Sequence, residues 1–101
     1  MPTTYYVMLH SPGPRWAEGV AFREQPGVEI HIAFVRGLLE WGMLALGGPF
    51  LDDSGGMAIV RGTSLDEVRA LAESDESVRT GLLRVEVKPW LAVMDSISPQ
   101  P

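Results

Sequence analysis

His31 and Asp75 are the two residues whose types and positions could do chemistry together, because each interrupts an apolar helix face. On a helical wheel of residues 28–42, Glu29, Arg36 and Glu40 define the solvent side. Opposite them lies an apolar arc of Ile30, Ile32, Phe34, Val35, Leu38 and Leu39, with His31 near its centre beside Leu38. In residues 65–75 the apolar face holds Leu65, Val68, Leu71 and Ala72, and a helix that runs on to residue 75 projects Asp75 between Leu71 and Val68. An unpaired carboxylate there is costly, so it must meet a partner or reach solvent. A carboxylate beside an imidazole orients the ring and favours its charged form, which suits the pair to acid/base work. The plainer alternatives are a satisfied core histidine and a solvated aspartate at a helix end.

Other residues rank below these. His10 closes the first strand beside a long loop and could join a pocket there, although a surface position is the first expectation. Two histidines among many carboxylates show no metal-ligand spacing, so neither a metal nor another cofactor is expected. Trp16 and Phe22 could wall a small-molecule pocket, Arg23 (with Arg15) could meet an anionic ligand, and Phe50 is a further ligand-contact candidate. Trp41 and Trp90 read as core or dimer-contact residues. "GGPFLDDSGG" lacks the glycine spacing and the lysine of a phosphate loop and joins strand to strand, so Asp52 and Asp53 read as turn formers.

Composition excludes whole classes of function. The chain has 101 residues, enough for one domain with a single modest core. Eight Lys and Arg against thirteen Asp and Glu give a net charge of −5, so there is no electrostatic footprint for nucleic acid or an anionic membrane. Cysteine is absent, which removes disulfides and thiolate chemistry. No stretch is apolar for long enough to span a membrane, and "MPTTYYVMLH" lacks the basic and apolar regions of a signal peptide. The expected location is the cytoplasm.

These residues need elements to position them. "TTYYVMLH" (3–10) reads as a strand, followed by a long Pro- and Gly-rich loop over 11–27. A helix over about 28–41 stops at Gly42. "MLALGGP" (43–49) and "MAIVRG" (57–62) form a hairpin about a turn. The second helix starts at Ser64, because Ser64 and Glu67 have the spacing of a capping box. "LLRVEVKPWLAV" (82–93) alternates as a half-buried strand does. Residues 1–95 are expected to be one domain and 96–101 a flexible C-terminal tail.

The order strand, helix, strand, strand, helix, strand defines an α+β fold. It is the ferredoxin-like split βαβ arrangement: a four-stranded antiparallel sheet with two helices on one face. The approximate two-fold of that fold lays the helices antiparallel and brings the start of the first, with His31, near the end of the second, with Asp75. The strands carry more apolar surface than one covered face can use, so a homodimer through the bare sheet face is expected.

The chain also resembles the YciI-like (YCII-related) family of dimeric α+β barrel proteins. The matching features are "YYVMLH", His31 followed by Gly42 and "GMLALGGPF", then "GGMAIV", "TSLDEVRALAESDESV" and "VEVKPW". "PGPRW" and "FREQPGVEIH" look like a subgroup with an enlarged first loop. The resemblance covers about residues 4–91. It implies sheet-to-sheet dimers and an active site built on a His–Asp pair, roles that transfer to His31 and Asp75. The family commonly has Asp-Pro where this chain has Asp75-Glu76, and loss of that proline would let the helix run on. Most members lack an assigned reaction. A few relatives look like dehydrochlorinases of chlorinated hydroxyquinols, and the wider superfamily includes muconolactone isomerases and small monooxygenases.

Three functional readings follow. The leading one is a cofactor-independent enzyme acting on a small organic molecule, aromatic compounds included, by isomerisation or elimination, with His31 as acid/base and Asp75 orienting it. The second is a non-catalytic module that binds a small ligand. The third makes the His–Asp pair a structural tie between helices.

Overall fold

A computed structural model describes residues 2–97. Residues 98–101, most of the expected tail, lie outside the described residues. The β-branched and aromatic run at the start forms β1 (Thr3–Pro12), which is followed by a short 3-10 helix (Phe22–Glu24) and α1 (Val28–Glu40). The hairpin strands β2 (Leu44–Pro49) and β3 (Gly56–Val60) come next, then α2 (Leu65–Glu73), α3 (Glu76–Arg79) and β4 (Leu83–Ala92). The strands form one antiparallel sheet in the order β2-β3-β1-β4, the ferredoxin-like topology expected from the sequence. The third helix α3 and the 3-10 turn are additions to the two expected helices.

Strand register decides what meets the helices. Tyr6, Met8 and His10 of β1 pair with Val60, Ala58 and Gly56 of β3, while Met8 and His10 also face Val87 and Val85 of β4. These residues share one side of the pleat. There Tyr6, Met8, Val60 and Val87 pack against Leu38 of α1 and Val68 and Ala72 of α2 to form the main core. The opposite side carries the Tyr5–Trp90 and Ile59–Leu46 pairs, with Trp90 and Leu46 about half exposed. Trp41 is 84% exposed at the end of α1, so it is not a core residue of the single chain.

Local signals set the helix ends. Gly42 adopts a left-handed φ of 77° just past α1; its N–H donates to the Leu39 carbonyl at 3.1 Å, and the Met43 N–H donates to that of Leu38 at 2.9 Å. This paired closure caps the helix where glycine permits the turn. At the start of α2 the Ser64 hydroxyl accepts from the Glu67 N–H at 3.1 Å. The Glu67 carboxylate reaches back one residue further than a capping box requires, accepting from the Thr63 N–H and hydroxyl at 3.1 and 2.7 Å.

The long first loop is ordered by side chains from its own end and from the hairpin. Gln25 is 2% exposed; its amide accepts from the Ala17 N–H at 2.8 Å and donates to the Ala17 and Val20 carbonyls. Asp53, a turn former with φ of 61°, also accepts from the Phe22 N–H at 3.0 Å. That bond ties the 3-10 helix to the β2–β3 turn and fixes Phe22 over the sheet.

Candidate active site between the helices and the sheet

The sequence places Asp75 on the apolar face of a continuing helix, and the structure corrects this. α2 ends at Glu73, and Asp75 is the N-cap of α3. Its Oδ1 accepts from the Ser77 N–H at 2.9 Å and from the Ser77 hydroxyl at 2.8 Å. Glu76 occupies the first helical position, the one that proline favours, so the missing proline does not let α2 run on. The second oxygen, Oδ2, lies 2.7 Å from His31 Nδ1 in the first turn of α1. One buried carboxylate thus caps a helix and holds an imidazole.

Asp75 is fully buried and His31 is 8% exposed. Burial pushes the Asp75 carboxyl up, but hydrogen bonds from His31 and Ser77, with the attraction of His31, outweigh it and hold the group below its ordinary value. An ionised carboxylate only accepts, so Nδ1 carries the proton and donates to Asp75. Nε2 is then the ring nitrogen left for a bound molecule, and in the neutral ring it bears the lone pair of a base.

A cavity of about 330 Å³ opens beside His31, between α1 and the β2–β3 end of the sheet. Its floor exists because the sheet there has almost no side chains: Gly47 pairs with Ala58, and Gly56 pairs with His10. Gly56 is required there, since a Cβ would sit 2.9 Å from the Gly48 carbonyl oxygen; it would also touch the Phe22 ring at 3.4 Å. Phe22 forms a wall, its ring stacked 6.0 Å from that of His31 at 26°. Ile32, Val35 and Leu39 line the α1 side, and Arg23 and Arg36 are the charged residues of the lining apart from the histidines.

The sequence candidates separate accordingly. His31 and Asp75 come together; Phe22 and Arg23 line the cavity. Trp16 does not line it, but packs edge-on against Phe22 at 5.3 Å and 72° from behind. Phe50 is also outside the lining, 38% exposed at the hairpin turn. Arg15 is placed away from it, hydrogen-bonded through its backbone to Gly81.

Two polar lining residues, His10 and Arg36, depart from their first expected positions. His10 is 3% exposed, with its ring centroid 4.5 Å from that of His31 at 64°, so the expected surface position is corrected. Strand alternation with Tyr6 and Met8 is the signal that marks it as inward-facing. Burial and the nearby His31 push the His10 imidazole down to about 4, with Asp75 opposing, so it is neutral at physiological pH. Its Nε2 is buried and has no hydrogen-bond partner among the described residues. Arg36, assigned to the solvent side of the wheel, is exposed and also lines the cavity.

One ring nitrogen from each histidine and one Asp75 oxygen lie within 4.8 Å of one another. Two imidazoles and a carboxylate are donors that a transition-metal ion accepts. Here Oδ2 and Nδ1 already share a proton at 2.7 Å, which an ion would have to displace.

A hydrogen-bonded His–Asp pair at the end of a small cavity, under a ferredoxin-like sheet, defines a class of small α+β proteins. The chain belongs to the YCII-related family, whose model matches residues 4–91. Its fold is similar to that of 5-chloro-2-hydroxyhydroquinone dehydrochlorinase from Burkholderia phenoliruptrix AC1100, solved in complex with 2,5-dihydroxybenzoquinone. The two share 22% identity, with a TM-score of 0.60 over 85% of this chain and 92% of that one. No curated protein matches the sequence. Among the described residues no helix is long and apolar enough to cross a membrane.

Proposed function

We propose that this protein is a cofactor-independent enzyme that moves protons on a small, ring-type organic molecule. The observation that carries the reading is the Asp75-held imidazole of His31 on the wall of an apolar cavity. His31 Nε2 takes a proton from an acidic C–H or O–H of the bound molecule, and Asp75 stabilises the imidazolium that forms. In an isomerisation the proton returns at another atom. In an elimination a leaving group departs as its anion, and the imidazolium gives its proton to water or to that anion. The similar fold of a dehydrochlorinase supports elimination as the first reaction to try.

The exposed sheet face, with Leu46 and Trp90 and the following Met94 at 48% to 91% exposure, supports a homodimer through that face. Sedimentation should give twice the monomer mass, and a Trp90→Glu variant should sediment as monomer; a monomeric wild type would refute the dimer.

Chloride release from chlorinated hydroxyhydroquinones is the test of the reaction. Wild type should release chloride, and His31→Gln should be slower by about 10²- to 10⁴-fold with its thermal unfolding little changed. Binding of these compounds by both proteins, with turnover by neither, would replace the enzyme with a non-catalytic ligand-binding module. Loss of folding in His31→Gln, with wild-type turnover absent, would leave a structural tie.

A further inference from the structure

The chain is acidic overall, with a net charge of −5, yet the cavity lining contains Arg23 and Arg36 and no carboxylate. The two arginines come from different elements, the 3-10 helix and α1, so their presence at one mouth does not follow from a single charged helix face. Neither takes part in an ion pair among the described residues. Each is adjacent to a residue that shapes the cavity, Arg23 to Phe22 and Arg36 to Val35. We propose that the cavity selects a small organic acid, its anionic group held at the mouth by Arg23 and Arg36 and its ring inward against Phe22 and the glycine floor.

The charge distribution also orients such a ligand. The inner end carries the buried Asp75 carboxylate behind His31, which repels an anion. His10 beside it is neutral and offers no compensating charge. A carboxylate therefore gains at the mouth, where guanidinium groups bind it through paired N–H donors. The opposite end of the molecule then faces the His31 ring. The inference rests on the cavity being the ligand site proposed above, but not on turnover.

Matched acids and amides test it: benzoate with benzamide, 4-hydroxybenzoate with 4-hydroxybenzamide, and phenylacetate with phenylacetamide. Each is titrated by amide NMR, following Gly47, Gly48, Gly56 and Ala58. At low salt the acids should bind at least about tenfold more tightly than their amides, and the preference should shrink as salt is added. Arg23→Gln and Arg36→Gln should each reduce it, and in the double variant acid and amide should bind equally. Equal binding of acid and amide, a preference that survives the double variant, or no acid shifting these signals at ~10 mM would each overturn the proposal. His31→Gln, titrated in parallel, should keep the preference. An inactive enzyme that still selects acids would fail only the acid/base reading, and an active one that does not select them would fail only this inference.

Discussion

The two ends of the helix–sheet interface share strands β1 and β3 and differ in side-chain size. At one end Tyr6, Met8 and Val60 meet Leu38, Val68 and Ala72, and Met8, Val60, Val68 and Ala72 have no exposure. At the other, β3 steps from Val60 through Ala58 to Gly56, and β2 contributes Gly47, so a cavity of about 330 Å³ replaces packed side chains. Protein interiors are normally filled to crystal-like density, and a domain of this size has little core to give up. The hollow end also gathers the buried polar groups His10, His31 and Asp75, while the filled end carries apolar residues. Close apolar packing and buried polar groups are thus divided along one strand, β1, between Met8 and His10.

That division predicts a graded set of responses. The largest is expected at Asp75, because Asp75→Ala strips the buried His31 and Ser77 of their acceptor; it should cost about 3 to 5 kcal/mol in chemical denaturation. A loss below ~1 kcal/mol would show that the hollow end does not depend on this buried carboxylate. Because the folded carboxyl is held below the ordinary 3.8, the unfolded chain binds its proton first as pH falls. This contribution is complete above that value and disappears through the lower folded one, so Asp75→Asn should lack that part of the acid transition. At the filled end, Met8→Ala should cost about 2 to 5 kcal/mol by cavity formation, with no change in ligand binding.

His10 should add a second loss of stability on acidification, at higher pH than that of Asp75. Its imidazole titrates at 6.5 when unfolded and at about 4 when folded, so the unfolded chain takes up the proton first and stability falls as pH drops across that interval. The slope approaches ~1.4 kcal/mol per pH unit for one proton. His10→Leu should remove this slope and be the more stable protein at pH ~5, since it also removes a buried nitrogen without a partner. Urea denaturation at several pH values decides it; a variant less stable than wild type throughout would make His10 an ordinary core residue. The smallest effect is expected at Leu39→Ala on the cavity rim, 60% exposed, which should change stability by less than about 0.5 kcal/mol and weaken binding of ring-type ligands.

Much of this arrangement is readable before any coordinates. Gly42 and Ser64 mark helix ends by chemistry that acts locally, and the alternation of polar and apolar residues carries the strands. His31 stands out because a helical wheel tests each residue against its own neighbours. The meeting of His31 with Asp75 follows from the two-fold of the fold, although the wheel assigns Asp75 to the wrong element. Asp75 and Ser77 stand two apart, the spacing of a cap, and that local bond ends α2 before the apolar pattern does. His10 was legible only by carrying the alternation of Tyr6 and Met8 to the last residue of the strand. The cavity was not, because its floor depends on Gly47, Ala58 and Gly56 aligning across two strand pairs, including a bulge between Leu44 and Leu46. A wheel also treats exposure as distance from function. Arg36 is exposed and still belongs to the cavity mouth.

The central claim is that His31, held by Asp75, moves protons on a molecule in this cavity. Deuterium exchange measures that without assuming the overall reaction: hydroxyhydroquinones and related enolisable ring compounds are incubated in deuterated buffer, and the loss of C–H signal is followed by NMR. Wild type should catalyse exchange, Asp75→Asn should slow it, and His31→Gln should reduce it by about 100-fold or more. Exchange no faster than in buffer alone, or equally fast with His31→Gln, would contradict the claim.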